Sequence, residues 1–399
     1  MKVLHVIPSL SFKCGGPVKA IYGMAEAQAR AGLKVRLLAT DFWQEEQVNI
    51  PGCEIRVFPC LFDRWRWSPG LGKALPEAVR WADVVNLHTL WSYPIAAASH
   101  ACRAAGVPYV LRPCGMLDSW SLSQKRWKKR LYASLTERRT INGAASLWFT
   151  SAEERATARA FNYCCPETVI PLGLPRDTYE RLPEKGYFRQ RYPELAGRRV
   201  ILFLGRITPK KKLDTLLRVF ARISAEFADA VLVIVGPDED GHLDAMQRLA
   251  QNFGIRERVY FAGGLQGRDV QAALVDTEVF VLPSLHENFG VAVLEAMACG
   301  VPVVVSDKVA LATFVEESRS GLVAPPDELA ITSSLRVLLN DPAFSKRLGE
   351  NGRQLVMERF VWDQIVPIIN TLYLKILASS NRTESLFGEA RLPANGPVE

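Results

Sequence analysis

The chain has 399 residues, 48% of them hydrophobic, and a formal net charge of +7. That length supplies two cores rather than one, and no apolar run reaches the roughly 18 residues of a membrane-spanning helix. The basic balance favours anionic partners, whether nucleic acid, acidic lipid head groups or phosphorylated substrates, without choosing among them.

Met1 to Pro8 reads as a first buried strand. It lacks the long apolar segment and small-residue cleavage site of a signal peptide, so the expected location is the cytoplasm. Cys14, Cys53, Cys60, Cys102, Cys114, Cys164, Cys165 and Cys299 are scattered with no Cys-x-x-Cys pair, and read as reduced, mostly buried thiols. The five histidines show no metal-ligand spacing, so no metal site is expected.

Strand-like apolar runs alternate with helix-like stretches along the chain. The first half offers strands at residues 3–7, 35–39, 55–58, 84–87, 109–111 and 146–149, with periodic stretches such as 19–31 and 95–104 between them. Ala31-Gly32 closes the first of these as a helix stop. The second half offers strands at 200–204, 230–235, 259–262, 279–282 and 303–306. Repeated strand–helix alternation predicts doubly wound parallel sheets. Pro166, Pro171, Pro175, Pro183 and Pro193 interrupt the periodicity near 170–198, which divides the chain into two similar α/β lobes with a cleft between them. The expected organisation is a first domain over 1–175, a linker over 176–197, a second domain over 198–358 and a helix over 359–379 carrying Pro367. Residues 380–399 read as a poorly ordered tail.

Three loops carry candidate chemistry. In His286-Glu287-Asn288-Phe289-Gly290-Val291, a loop leaves a buried strand and enters a helix that bears Glu295. The backbone N–H groups of Phe289, Gly290 and Val291 stand at the helix entrance and attract an anion such as a diphosphate. Gly290 permits close backbone approach. Glu287 can hydrogen-bond sugar hydroxyls, and Glu295 can accept from two ribose hydroxyls. The alternative makes both glutamates solvated charges, which fits poorly with Glu295 between Leu294 and Ala296 in an apolar helix. The second loop is Gly205-Arg206-Ile207-Thr208-Pro209-Lys210-Lys211-Lys212, directly after the first strand of the second lobe. There Arg206 offers a planar fork to phosphate oxygens and Lys211 a mobile point charge; otherwise it is a solvated basic loop. The third is Cys14-Gly15-Gly16-Pro17, a phosphate-facing loop or only a turn. It lacks the Gly-x-Gly-x-x-Gly dinucleotide fingerprint.

Together these loops resemble glycosyltransferase family 4, the retaining nucleotide-sugar transferases of the GT-B fold, over nearly the whole chain. The Glu-x7-Glu element matches as Glu287 and Glu295, the phosphate element as Gly205, Arg206 and Lys211, and the N-terminal loop as Gly15 and Gly16. The resemblance implies two Rossmann-like domains, an acceptor-binding first and a donor-binding second, with the C-terminal helix packing back on the first. It implies that Glu287 touches the donor sugar, Glu295 the nucleotide ribose, and Arg206 and Lys211 the diphosphate. Asn288, Phe289, Gly290 and Val291 complete the donor set, with no cofactor. Arg112-Pro113-Cys114-Gly115-Met116-Leu117-Asp118 and Ser306-Asp307-Lys308-Val309 are similar to a subgroup of exopolysaccharide and lipopolysaccharide assembly, which implies a glycan or polyprenyl-diphosphate-linked acceptor. Three positions depart from the family: Cys114 stands where a His is common, Lys212 where a Gly is usual, and Ala310-Leu311-Ala312 replaces a more polar segment.

Two further readings concern the acceptor side. Lys125, Arg126, Trp127, Lys128, Lys129 and Arg130 belong to a basic stretch in which Trp127, Leu131 and Leu135 share one helical face. That face suits an anionic membrane surface, making the protein peripheral on the inner leaflet, or else packs on its own core. His88, at a strand end, either lines the acceptor side with Cys114 or is structural. A non-catalytic sugar-nucleotide-binding partner of an assembly complex is the rival to an enzyme. A nucleic-acid-binding role lacks any recognition motif.

Overall fold

The computed structural model describes residues 1–44, 48–118, 136–238 and 241–388. It divides into two compact units, Met1–Pro171 with Asp363–Glu399, and Leu172–Trp362.

In the first unit the described residues form one sheet of strands β1 (Lys2–Ser9), β2 (Lys34–Thr40), β3 (Cys53–Phe58), β4 (Val84–His88), β5 (Tyr109–Arg112), β6 (Ser146–Phe149) and β7 (Glu167–Val169). Their order is β3-β2-β1-β4-β5-β6-β7, and each pairing is parallel. The central strands are apolar on both faces because helices cover both sides. Val3, Leu4, Val6, Val85, Leu87, Val110 and Leu111 are accordingly buried.

The second unit repeats the plan with β8 (Arg199–Leu204), β9 (Ala230–Val235), β10 (Val259–Gly263), β11 (Val279–Leu282), β12 (Val303–Ser306) and β13 (Gly321–Ala324). Its order is β10-β9-β8-β11-β12-β13, again parallel throughout. In each unit the winding direction reverses beside the first strand, between β1 and β4 and between β8 and β11. Such a reversal leaves a crevice at the carboxyl ends of the two strands, the usual ligand position in open α/β sheets.

Several boundaries differ from the sequence reading. The stretch 176–197, read from its prolines as a linker, carries the helices Arg176–Glu180 and Tyr187–Arg191 and a tight turn at Pro193–Leu195, and belongs to the second unit. It is fastened there by Asp276, whose carboxylate accepts from the Gly186 and Arg189 backbone N–H groups. The terminal helix runs over Trp362–Gly388, past residue 379. From Asp363 onward it belongs to the first unit. Ile365, Ile369, Tyr373 and Ile376 are buried, and their spacing places them on one helical face.

Candidate functional site

The site begins with two loops leaving adjacent strands. After β8, the Gly205 N–H donates to the Val235 carbonyl at 2.9 Å and the Ile207 N–H to the Pro237 carbonyl at 2.9 Å. The β8 loop thus lies along the β9 loop. A Cβ built on Gly236 would stand 1.9 Å from the Gly205 carbonyl oxygen, so only glycine allows this approach. The chain then forms the turn Pro209–Lys211 and enters the helix Leu213–Glu226 through Lys212. Lys212 has φ 54° and ψ 40°. The position where the family favours glycine therefore keeps a left-handed backbone, which a lysine adopts at a cost of about 1–2 kcal/mol.

After β11, the Leu285 N–H donates to the Lys210 carbonyl at 2.9 Å, joining the two loops. On its other side the Glu287 N–H donates to the Lys308 carbonyl at 3.1 Å, and the Glu287 carbonyl accepts from Ala310 at 3.2 Å. Glu287 is thereby held between the loops of β8 and β12. Gly290, at φ 95°, opens the helix Val291–Ala298 with no side-chain cap. The helix entrance carries the positive end of the helix dipole, and the Gly290 carbonyl accepts from the Val293 N–H at 2.8 Å.

The electrostatics centre on Glu287, whose carboxylate pairs with the Lys211 ammonium. The two side chains are 22% and 13% exposed, respectively. Burial pushes the Glu287 carboxyl up, but the charge and hydrogen bond of Lys211, with Lys210 and Arg206 beyond, outweigh it and hold the group below the ordinary carboxylate value. Glu295, on the following helix, is 7% exposed. The buried Tyr179 hydroxyl donates to its Oε1 at 3.3 Å. Burial first, and then the Glu295 charge, push the Cys299 thiol up to about 12.

In the second unit Gly205, Arg206 and Lys211 lie on the β8 loop, Glu287, Asn288, Phe289 and Gly290 on the β11 loop joined to it, and Val291 and Glu295 in the helix that follows. Phe289 is buried, its ring 6.4 Å from that of Phe360, so its side chain is a packing group. Two residues that the sequence reading did not single out lie beside these groups: Lys210, whose charge acts on Glu287, and Tyr179, bonded to Glu295. Lys210 was hidden within a run of three lysines, and Tyr179 lies 116 positions from Glu295. Gly15 and Gly16 belong to the first unit, where Gly15 (φ 78°) leads into the helix Gly16–Arg30, again without a side-chain cap.

His88 takes the structural alternative. It is buried at the end of β4, and neither ring nitrogen is available to an acceptor. Arg112 donates to Nδ1 at 3.2 Å, and Nε2 lies 2.9 Å from His5 Nδ1. His5 Nε2 is 2.7 Å from Gln28 Oε1, and the Gln28 amide reaches the Tyr373 hydroxyl at 3.1 Å. Arg112 has only donors, which fixes the direction of the chain: both imidazoles are neutral and protonated on Nε2. Cys114, half-buried at φ 53°, is the left-handed residue of the β5 loop. Burial pushes its thiol up, so it remains protonated. Of the basic stretch, Lys125, Arg126, Trp127, Lys128, Lys129 and Arg130 lie outside the described residues. Among the described residues no helix is long and apolar enough to cross a membrane.

Two family models match the chain, one over each sheet: the glycosyl transferase 4-like domain at residues 15–173 and the glycosyl transferases group 1 at residues 185–355. The GDP-mannose-dependent alpha-(1-6)-phosphatidylinositol monomannoside mannosyltransferase of Mycolicibacterium smegmatis is 28% identical over 290 residues, covering 69% of this chain and 74% of its own. Among solved structures, Anabaena HepE in complex with UDP and glucose superposes with a TM-score of 0.76 at 18% identity, covering 93% of this chain and 99% of its own. WaaG, a glycosyltransferase involved in lipopolysaccharide biosynthesis, superposes with a TM-score of 0.69 at 18% identity, over 92% of this chain and 98% of its own. The two parallel sheets are thus those of the GT-B fold. The chain belongs to the group 1 glycosyltransferases, within family 4, and is a transferase.

Proposed function

We propose that the protein transfers a sugar from a nucleotide-diphosphate donor with retention of anomeric configuration. The observation that carries this reading is the Lys211–Glu287 pair, set among Arg206 and Lys210 beside an uncapped helix N-terminus. Negative charge grows on the diphosphate as the glycosidic bond breaks. Arg206, Lys210, Lys211 and the Phe289–Val291 amides stabilise it there without reorganising. Glu287 orients the donor sugar rather than attacking it, and Glu295 receives the ribose hydroxyls. With cations on the phosphates, the site needs no metal ion.

The acceptor belongs to the same proposal: a glycan or a polyprenyl-diphosphate-linked glycan in cell-surface polysaccharide biosynthesis. The basic stretch 124–139 would hold the enzyme against the anionic inner leaflet of the cytoplasmic membrane. A donor screen that reads nucleoside diphosphate release tests the core of the proposal. Turnover of one donor is expected, with large losses in Lys211→Ala and Glu287→Ala. Wild-type rates in both variants would sink it.

A further inference from the structure

Tyr179 lies in a short helix, Arg176–Glu180, that sequence periodicity does not attach to any site. The structure builds this helix into the second unit beside Glu295. The Thr178 carbonyl accepts from the Gln271 side-chain amide at 3.1 Å. The Tyr179 carbonyl accepts from Arg353 at 2.9 Å, and the same guanidinium donates to the Ala298 carbonyl at the end of the helix that carries Glu295. One arginine thus holds the tyrosine backbone and the glutamate helix in register. The Tyr179 ring is buried, so its hydroxyl needs a partner within the protein, and it donates to Glu295 Oε1 at 3.3 Å.

We propose that Tyr179 is a positioning residue for the nucleotide, fixing through its hydroxyl the Glu295 carboxylate that receives the ribose hydroxyls. A carboxylate rotates freely about its terminal torsion. The Tyr179 donor on Oε1 restricts that rotation and holds the carboxylate in the orientation that meets the vicinal hydroxyls of a ribose. The hydroxyl stays a donor at all working pH values, because burial and then the Glu295 charge push it well above the ordinary tyrosine range. Phenylalanine would fill nearly the same volume and lose the donor, so selectivity for ribose over 2′-deoxyribose draws on that O–H group. This inference rests on the nucleotide-sugar reading above.

The test is calorimetric titration of the full chain with UDP, GDP and their 2′-deoxy counterparts, using the base that binds more tightly. The wild-type chain is expected to prefer the ribonucleotide about tenfold, the size of one well-made hydrogen-bonding contact. Tyr179→Phe is expected to cut that ratio at least threefold while leaving the melting temperature near wild type. In a Glu295→Gln background the same change is expected to have less than half its effect, because residues that act through one contact are not additive. Undiminished ribose selectivity in Tyr179→Phe, or an equal loss in both backgrounds, overturns the proposal and leaves the nucleotide-sugar reading intact. Failure of the wild-type chain to bind UDP, GDP or any other ribonucleoside diphosphate overturns both.

Discussion

The Lys211 ammonium rests on the Glu287 carboxylate. Each side chain is therefore held in place by the charge that a nucleotide sugar would otherwise have to satisfy. The lysine leaves β8 and the glutamate β11, so the pair spans the point where the second sheet reverses its winding. In the proposed function a diphosphate arriving there would take over the lysine, and a sugar hydroxyl the glutamate. The pair keeps both groups oriented in the meantime, because separating either from the other would leave a largely buried charge uncompensated.

The first prediction concerns division of labour. Lys211→Ala removes a cation aimed at developing charge and should lower kcat about 10²–10³-fold, the effect of losing one preorganised donor. Glu287→Ala should also lower kcat, and should blur discrimination between donor sugars. Glu295→Gln should instead raise the donor KM several-fold with kcat within about threefold of wild type, since ribose binding is alike in ground and transition states. Steady-state kinetics on the donor found by the screen decide the matter. A change in KM alone for all three variants would show the assignment of Lys211 and Glu287 to be wrong.

The second follows from the sign of the Glu287 shift. The folded carboxyl lies below its ordinary value, so its contribution to stability is complete above the unfolded value near 4.3 and is lost only as pH falls through the lower, folded value. Across pH 5–8 the wild-type Glu287 carboxyl should be ionised, and activity should show no acid limb from this residue. In Lys211→Met the burial that pushes the carboxyl up loses its largest opponent. The residual activity of that variant should then acquire an acid limb at higher pH than wild type. The pH profile of kcat/KM tests this, and coincident acid limbs in the two proteins would contradict it.

How much of this was legible in the sequence depended on how local each signal was. The central strands are covered on both faces and read as continuous apolar runs. Gly205 sits directly at the end of β8 and Gly290 directly before the helix that carries Glu295, so both site loops could be placed from spacing alone. The edge strands Glu167–Val169 and Gly321–Ala324 are short and partly exposed, and β7 has no fully buried residue; they carried no comparable run. The prolines of 176–197 suggested a linker because they break periodicity, yet proline is tolerated beside short helices. The Tyr179–Glu295 contact joins positions 116 apart, which no local pattern encodes. His88 could not be assigned either, since its fate turns on Arg112, His5 and a terminal helix hundreds of residues away.

The third prediction concerns His5. Burial, set against the Gln28 hydrogen bond and joined by the Arg112 charge, lowers this imidazole to about 4. A histidine near 6.5 when unfolded binds a proton more readily than the folded one between these two values. The first unit should therefore lose stability as pH falls from about 6.5 to 4, by roughly 3 kcal/mol from this residue, and should gain nothing further above 6.5. His5→Asn would be less stable at neutral pH, because it leaves the His88 and Gln28 ends of the chain unpaired. Its stability should nevertheless fall less steeply over the same interval. Denaturant unfolding at half-unit pH steps measures both slopes, and parallel slopes would remove His5 from the account.

The last concerns the backbone that shapes the phosphate loop. Lys212 occupies the left-handed region at φ 54° and gains little there from its 3.8 Å ion pair with Asp214, both partners being substantially solvated. Lys212→Gly removes the steric cost of a side chain in that conformation and should stabilise the second unit by about 0.5–1 kcal/mol, net of the greater freedom glycine gives the unfolded chain. Gly236→Ala should act in the opposite direction and more strongly. Its methyl group would stand 1.9 Å from the Gly205 carbonyl oxygen and 3.4 Å from the Arg206 nitrogen, so the β8 loop must move to admit it. Because backbone cannot yield as a flexible side chain does, that variant should lose at least about 2–3 kcal/mol and misplace Arg206. Thermal unfolding should therefore rank Lys212→Gly above wild type and Gly236→Ala below it. Donor turnover should survive in the first and collapse in the second at temperatures where both remain folded. A Gly236→Ala protein with wild-type melting and turnover would mean that the contact between the β8 and β9 loops does not set the shape of the site.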